Sequence, residues 1–237
     1  MGNTTHTMET AHGPMELYEA TPSGEPRGGV VVIQEAFGVN DHIKDVAARL
    51  ASAGYHAVAP AIFHRAGGGT VDYGDFANLM PKFEGLDDEG IMVDVDAAID
   101  HLNAAGIPNS KIGIVGFCFG GRVTFLVAAR RALGAASGFY GGGIASKGGL
   151  PFPALIDEAA TLQTPFLGIF GDLDASIPSE DVEKLREAMK AAPVPTEVVR
   201  YPEAGHGFHC DARPDYHEPS AKDAWARTLA WFDAHLA

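Results

Sequence analysis

The chain has 237 residues, 46% of them apolar, which is enough to bury one substantial hydrophobic core. Its formal net charge of −14 at pH 7 argues against partners that need a basic surface, such as nucleic acid or an anionic membrane. Its two cysteines, Cys118 and Cys210, make no disulfide framework, which favours a reducing, cytoplasmic location. From its polar N-terminal segment and short apolar runs we expect neither a signal peptide nor a transmembrane segment.

Apolar strand-like runs alternate along the chain with helix-like segments. Strands are predicted at residues 15–20, 29–33, 55–60, 111–115, 135–140, 165–170 and 197–201. Helices are predicted at residues 41–53, 89–105, 119–131, 178–191 and 220–235. This alternation predicts an α/β fold with a mostly parallel sheet and helices on both faces. We expect residues 1–14 to be disordered and residues 15–237 to form a single domain.

Two of the predicted helices carry local signals. Asp41 is expected to cap the N-terminus of the first helix, and Gly54 to follow its C-terminus. The last helix has four apolar residues at helical spacing, which indicate core packing rather than a cofactor site. These residues are Trp225, Leu229, Phe232 and Leu236.

The sequence places a reactive side chain at the bend after the predicted strand 111–115. Gly116 and Gly120 flank Cys118 as glycines flank the serine of a G-x-S-x-G nucleophile elbow. Such a turn projects the nucleophile above the sheet and requires almost no side chain at the two flanking positions. The alternative is a buried cysteine in an ordinary strand-to-helix turn, because free cysteine is among the most buried residue types.

A nucleophilic thiol needs a base and a third group that orients the base. Asp172 and Asp174 follow the predicted strand 165–170, and His206 follows the predicted strand 197–201. Catalytic groups collect beyond the carboxyl ends of parallel strands, so a carboxylate and His206 are predicted to meet Cys118 at one edge of the sheet. Either aspartate could instead cap the following helix, and His206 could be a loop histidine without a partner.

Glu35 lies at the end of a buried strand, where a carboxylate is costly unless it is hydrogen-bonded or protonated. It either caps nearby backbone N–H groups or faces Cys118, where it would compete with His206 for the thiol proton. In the second case, the backbone N–H groups of Ala36 and Phe119 would form an oxyanion hole.

Four motifs resemble those of the dienelactone hydrolase (carboxymethylenebutenolidase) family. They are residues 34–40, 116–121, 171–178 and 204–208, which together extend over nearly the whole chain. The resemblance implies an α/β-hydrolase fold and hydrolysis of a small-molecule ester or lactone through a thioester intermediate. We expect no cofactor and no metal.

The resemblance also assigns roles to individual residues. It implies a triad of Cys118, His206 and Asp174, and it selects Asp174 over Asp172 as the partner of the histidine. It makes Glu35 the carboxylate that contacts the resting thiol. It further implies that the backbone N–H groups of two residues donate to the oxyanion. These residues are Ala36 and Phe119.

The sequence departs from the family pattern where family members hold a substrate carboxylate with arginines. Cys210 stands four residues after His206 in place of one arginine, and residues 67–90 contain no arginine. Arg65, Arg122 and Arg213 are possible substitutes. An anionic lactone is therefore not assigned as the substrate.

Three alternatives remain open at this point. A metal-binding protein is suggested by a dense group of metal-ligating residue types, namely His206, His209, Cys210, Asp211 and His217. A non-enzymatic module that cradles phosphate would also use a Gly-rich turn, although this turn is not G-x-G-x-x-G. The third alternative is the same fold with lapsed catalysis.

Overall fold

The computed structural model describes residues 2–236, so Met1 and Ala237 lie outside the described residues. The strands are β1 (Gly2–Thr10), β2 (Gly13–Thr21), β3 (Gly29–Ile33), β4 (His56–Pro60), β5 (Ile112–Phe117), β6 (Ala135–Phe139), β7 (Phe166–Gly171) and β8 (Thr196–Tyr201). The α-helices are α1 (Asp41–Ser52), α2 (Phe76–Leu79), α3 (Asp88–Ala104), α4 (Phe119–Arg130), α5 (Ser179–Met189) and α6 (Glu218–His235). Four short 3-10 segments connect them, at Ile62–Ala66, Met80–Phe83, Asn109–Lys111 and Ile156–Thr161.

The eight strands form one sheet in the order β1-β2-β4-β3-β5-β6-β7-β8. Strand β2 pairs antiparallel with β1 on one side and with β4 on the other, and all other pairs are parallel. Strands β3, β5, β6 and β7 are buried along their whole length, as expected for parallel strands covered on both faces. The predicted α/β fold with a mostly parallel sheet is confirmed.

The bounds of β2–β8 and of the five longer helices differ from the predicted bounds by at most two residues at either end. The apolar stripe of α6 packs as expected, because Phe232 is fully buried and Trp225, Leu229 and Leu236 pack against the same core. The N-cap of α1 lies one residue before the predicted Asp41. Asn40, not Asp41, accepts a hydrogen bond from the backbone N–H of Ile43 at 3.2 Å.

The expectation of a disordered N-terminal segment is wrong for residues 2–14. Gly2–Thr10 forms β1, which pairs with β2 in a regular register from Gly2 opposite Thr21 to Thr10 opposite Gly13. The segment is polar and mostly exposed, so its order comes from strand pairing at the sheet edge rather than from burial. Pairing of this kind leaves little signal in composition.

None of the described helices combines the length and the apolar character that a membrane-spanning helix requires.

Candidate active site

A sharp turn joins β5 to α4, and Cys118 is the residue at its apex. Its backbone has φ 56° and ψ −115°, which lies in the region that residues other than glycine rarely adopt. The backbone N–H of Cys118 donates to the carbonyl of Phe139 at 3.0 Å, which fixes the turn against the end of β6. The strained backbone therefore holds the Cys118 side chain at the carboxyl end of the central strands.

The glycines that flank Cys118 are needed because backbone passes close to them. A Cβ at Gly116 would lie 2.1 Å from the carbonyl oxygen of Gly120. A Cβ at Gly120 would lie 2.5 Å from the carbonyl oxygens of Ile33 and Gln34, at the end of β3. The turn thus packs directly against the neighbouring strand, as the elbow interpretation requires.

Three side chains that are far apart in sequence meet at this turn. His206 Nε2 lies 3.1 Å from Cys118 Sγ, and His206 Nδ1 lies 2.6 Å from Asp174 Oδ2. The other carboxylate oxygen, Asp174 Oδ1, accepts hydrogen bonds from the backbone N–H of Ser176 at 2.8 Å and from its hydroxyl at 2.6 Å. Asp174 is buried, whereas Cys118 is partly accessible, so the chain of contacts runs from the interior to a reachable sulfur.

The electrostatics of this group favour a protonated imidazole. Burial would lower the pKa of His206, but the charge of Cys118 and the hydrogen bond to Asp174 outweigh it and raise that pKa to about 10. Burial would also raise the pKa of Asp174, yet its hydrogen bonds with His206 and Ser176 lower it. The two shifts favour an imidazolium ion that lies between the Asp174 carboxylate and the sulfur of Cys118.

Of the two aspartates on the loop after β7, only Asp174 contacts His206. Asp172 Oδ1 instead accepts a hydrogen bond from Arg200 Nε at 2.6 Å. Neither aspartate caps α5 through its side chain, because the cap residue of that helix is Pro178. The structure therefore places Asp174, and not Asp172, against His206.

Glu35 is fully buried, but its hydrogen bonds do not go to the thiol. Tyr73 donates its hydroxyl to Glu35 Oε2 at 3.0 Å, and Arg213 Nη1 lies 3.5 Å from Oε1. The expected contact between Glu35 and the resting Cys118 thiol is thus wrong for this arrangement, in which His206 bonds the sulfur. The physical reason is that Tyr73 and Arg213 satisfy the buried carboxylate.

Cys210 lies beside the Glu35 carboxylate and does not group with the histidines of its own loop, His206 and His209. Its sulfur is 3.3 Å from the Tyr73 hydroxyl, and burial raises the pKa of its thiol. His209 stacks on Phe117 at a ring distance of 5.2 Å, and burial lowers the pKa of His209 to about 3. Within residues 2–236, His206, His209 and Cys210 do not group as metal ligands, so the metal site suggested for that loop is wrong.

The arginines considered as anchors for a substrate carboxylate already have partners. Arg122 is almost fully buried, donates to both oxygens of Asp88 at 2.7 and 3.0 Å, and donates to the carbonyl of Pro153. Arg65 donates to Asp94 Oδ2 at 2.7 Å. Arg213 faces Glu35. Their charges are therefore largely neutralised inside the protein.

A cavity of about 300 Å³ opens over the Cys118 sulfur and the His206 ring. Its apolar walls come from six side chains, namely Phe76, Leu79, Met80, Phe119, Leu150 and Phe152. Phe76 and Met80, on α2 and the 3-10 turn after it, are among the few large apolar side chains that are exposed. The cavity therefore offers an apolar surface next to the thiol.

The positions of Ala36 and Phe119 bring two backbone N–H groups to the same edge. Ala36 lies just beyond the end of β3, and Phe119 is the first residue of α4, so its N–H has no acceptor inside the helix. The close packing of Gly120 on Ile33 and Gln34 brings these two chain segments together.

Two residues of the site have no clear sequence signal, and a third has one that the prediction did not use. Tyr73 comes from the loop after Ile62–Ala66, and its contact with Glu35 depends on tertiary packing alone. Tyr140 has φ 36° directly after β6 and packs its ring on His206 at 5.2 Å. Ser176 could have been found, since a serine two residues after an aspartate often bonds it in a turn.

Comparison with known proteins gives matches along nearly the whole chain. The family model described as "Dienelactone hydrolase family" matches residues 15–236. Relatives named "Putative carboxymethylenebutenolidase" are 41% identical over 225 residues in Escherichia coli O157:H7 and 43% identical over 210 residues in Salmonella typhimurium. They cover 92% and 86% of this chain and 82% and 76% of their own lengths. A solved "Putative Dienelactone Hydrolase" from Klebsiella pneumoniae has a TM-score of 0.89, 38% identity and 98% coverage of both chains.

Proposed function

The chain is a hydrolase of the dienelactone hydrolase family with an α/β-hydrolase fold, and we propose that it cleaves a carboxylic ester or lactone with Cys118 as nucleophile. One observation carries this proposal. A sulfur, an imidazole and a buried carboxylate form a continuous chain of contacts of 3.1 and 2.6 Å at the carboxyl edge of the sheet. A nucleophile, a base and a group that orients the base are the parts that acyl transfer needs.

The first half of the reaction forms a thioester. The Cys118 thiolate attacks the carbonyl carbon, and the carbonyl electron pair moves to the oxygen to give a tetrahedral oxyanion. As the oxyanion collapses, the bond between the carbonyl carbon and the leaving alkoxide breaks. The Nε2 proton of His206 passes to the alkoxide oxygen. An alcohol or enol leaves, and the acyl group stays on sulfur.

The second half returns the free enzyme. Neutral His206 takes a proton from water through Nε2 while the water oxygen attacks the thioester carbonyl. The carbon–sulfur bond then breaks, the acid product leaves, and the Cys118 thiolate faces imidazolium again. Asp174 keeps the Nδ1 proton of His206 in place throughout, so Nε2 is the nitrogen that exchanges protons.

We assign the oxyanion to the backbone N–H groups of Ala36 and Phe119. The packing of the elbow on the end of β3 supports this assignment, because it brings both segments to the side of Cys118. A donor of this kind is worth about 3 kcal/mol of transition-state stabilisation. Glu35 has no chemical step in this scheme, since its carboxylate is bound by Tyr73 and Arg213.

The surroundings of the thiol favour an uncharged, apolar substrate. Most of the cavity wall is apolar, and Arg122, which also lines it, is committed to Asp88 as Arg65 is to Asp94. The name of the curated relatives describes a lactone with a carboxyl group, and such a substrate would need a free cation here. We therefore propose that apolar esters and lactones are preferred over anionic ones.

The nucleophile and the compartment can be tested separately. Cys118→Ala should lose hydrolysis of an activated aryl ester, whereas Cys210→Ala should keep it because that thiol is buried beside Tyr73. Turnover by Cys118→Ala at the rate of the unchanged protein would contradict the assignment of Cys118 as the nucleophile. Both thiols are free, which suits a reducing compartment, and we propose a cytoplasmic location that cell fractionation can check.

A comparison of two lactones tests the substrate class. A neutral alkyl lactone should show a higher kcat/KM than the same lactone bearing a carboxylate. A preference for the carboxylate would mean that one of the paired arginines becomes free to bind substrate.

A further inference from the structure

A second cluster of titratable side chains lies away from the thiol, on three strands and one helix. Its members are His6, Glu19, His56 and His101. Glu19 is at its centre, with Oε2 2.5 Å from His6 Nε2 and Oε1 2.5 Å from His56 Nε2 and 3.0 Å from His101 Nε2. Three imidazole nitrogens thus converge on one carboxylate.

The sheet register explains why these side chains meet. Glu19 of β2 pairs with Thr4 of β1 and with Val58 of β4. His6, two residues after Thr4, and His56, two residues before Val58, therefore share its face of the sheet. Helix α3 crosses this face and contributes His101 from its last turn. Four separate elements therefore build the cluster.

The cluster lies at the opposite edge of the sheet from the thiol. His56 is the first residue of β4, and through Gly29 of β3 it is in line with Ile112, the first residue of β5. Cys118 follows the last residue of β5. The proposed chemistry at the carboxyl edge therefore makes no use of this cluster at the amino edge.

We propose that Glu19, His56 and His101 bind one first-row divalent metal ion, with Zn²⁺ as the best match, while His6 holds the other oxygen of the Glu19 carboxylate. The ligand atoms of Glu19, His56 and His101 all lie within 4.8 Å of one another, so they can approach a single ion. Imidazole nitrogen with one carboxylate oxygen is a ligand set that zinc accepts in tetrahedral sites.

Access distinguishes this cluster from the other close group of ligand types, Glu35, His42 and Cys210. That second group is buried on all sides, which gives an ion no entry path. In the outer cluster, the His6 and His101 side chains are 42% and 31% exposed, whereas Glu19 is 12% exposed. An ion can therefore enter from solvent and reach a shielded carboxylate.

The bound ion would fasten the N-terminal strand to the rest of the fold. Strand β1 pairs only with β2 and is exposed over most of its length. A metal held by Glu19 on β2, His56 on β4 and His101 on α3 would fix the Glu19 carboxylate that His6 of β1 contacts, and so would tie this edge strand to three other elements. Because binding occurs only in the folded state, the ion should raise Tm.

Calorimetry tests the proposal. The full-length, untagged protein is first treated with a chelator and is then titrated with Zn²⁺. We expect one equivalent to bind and Tm to rise. His101→Ala and Glu19→Gln should each weaken binding by about tenfold or more. His235→Ala is the matched control, because it removes an imidazole that packs on Trp231 outside the cluster.

Further variants and a spectroscopic probe identify the ligands. Cys118→Ala and Cys210→Ser should leave Zn²⁺ affinity unchanged, and the Co²⁺ form should lack thiolate-to-metal charge-transfer absorption. Circular dichroism checks that His101→Ala and Glu19→Gln remain folded. His6→Ala provides a third variant, at an exposed residue. The proposal is overturned if no Zn²⁺ binds, if binding survives in folded His101→Ala and Glu19→Gln, or if either cysteine variant abolishes it.

Discussion

His206 Nε2 lies 3.1 Å from the sulfur of Cys118, although 88 positions separate the two residues in the chain. The strained backbone at Cys118 and the loop after β8 bring them together at the carboxyl edge of the sheet. The other ring nitrogen, Nδ1, is 2.6 Å from Asp174 Oδ2. The imidazole is therefore held between the thiol of Cys118 and the carboxyl group of Asp174. This position determines its charge, which the first prediction addresses.

The pKa of His206 should depend on Cys118. Burial alone would lower it, and the charge of Cys118 is the largest influence that raises it to about 10. Cys118→Ala should therefore shift the titration of the His206 ring, followed by NMR, towards lower pH. A ring that titrates near 6.5 in both proteins would contradict the ion pair.

The same shift gives stability a defined pH dependence. A folded-state pKa raised above 6.5 means that the folded state holds the proton more tightly than the unfolded state. This contribution to the free energy of unfolding is complete below pH 6.5 and is lost as pH rises through about 10. The free energy of unfolding in urea should fall across this pH range. The fall should be smaller in Cys118→Ala.

Replacing Asp174 should damage catalysis much more than replacing its neighbour. Asp174→Asn removes the charge that orients His206, so kcat should fall roughly 10²- to 10⁴-fold while the fold persists. Asp172→Asn is the matched control, because Asp172 bonds Arg200 and not the histidine. Equal losses of kcat in the two variants would mean that the loop as a whole, rather than the Asp174 carboxylate, supports activity.

Glu35 should matter for stability more than for the reactivity of the thiol. Glu35→Gln leaves the largely buried Arg213 without its close carboxylate partner, which should cost about 3 kcal/mol of unfolding free energy. The rate of Cys118 alkylation should stay unchanged, since His206 bonds the sulfur. Faster alkylation with unaltered stability would instead favour a Glu35 that restrains the thiol.

Gly116 should tolerate no side chain. In Gly116→Ala the new Cβ would lie 2.1 Å from the carbonyl oxygen of Gly120, so the elbow must shift at a cost of about 3 kcal/mol or more. Gly149→Ala is the control, because a Cβ there meets nothing within 4 Å. Urea unfolding of the two variants compares them, and similar stabilities would mean that the turn is not sterically constrained.

Local patterns were enough to predict the elements that carry the site. The apolar run of β5, the glycines around Cys118 and the positions of Asp174 and His206 after strands all have short-range signals, because parallel strands place their following loops at one edge. The N-terminal strand had no such signal. Most of its residues are polar and exposed, and pairing with β2 is the main contact that orders them.

The surroundings of Glu35 required tertiary structure. Its partners Tyr73 and Arg213 lie 38 and 178 positions away in loops, where no periodic pattern restricts which side chains meet. The sequence indicated correctly that a buried carboxylate needs a partner. It could not indicate that Tyr73 and Arg213, rather than the thiol, would supply it.

The central claim is that an acyl group passes through the sulfur of Cys118. Rapid quenching of the reaction with an activated ester, followed by mass spectrometry of the peptides, tests this directly. The account predicts an added acyl mass on the peptide that contains Cys118, and none in Cys118→Ala. An acyl group on another residue, or full turnover with no acylated protein, would contradict it.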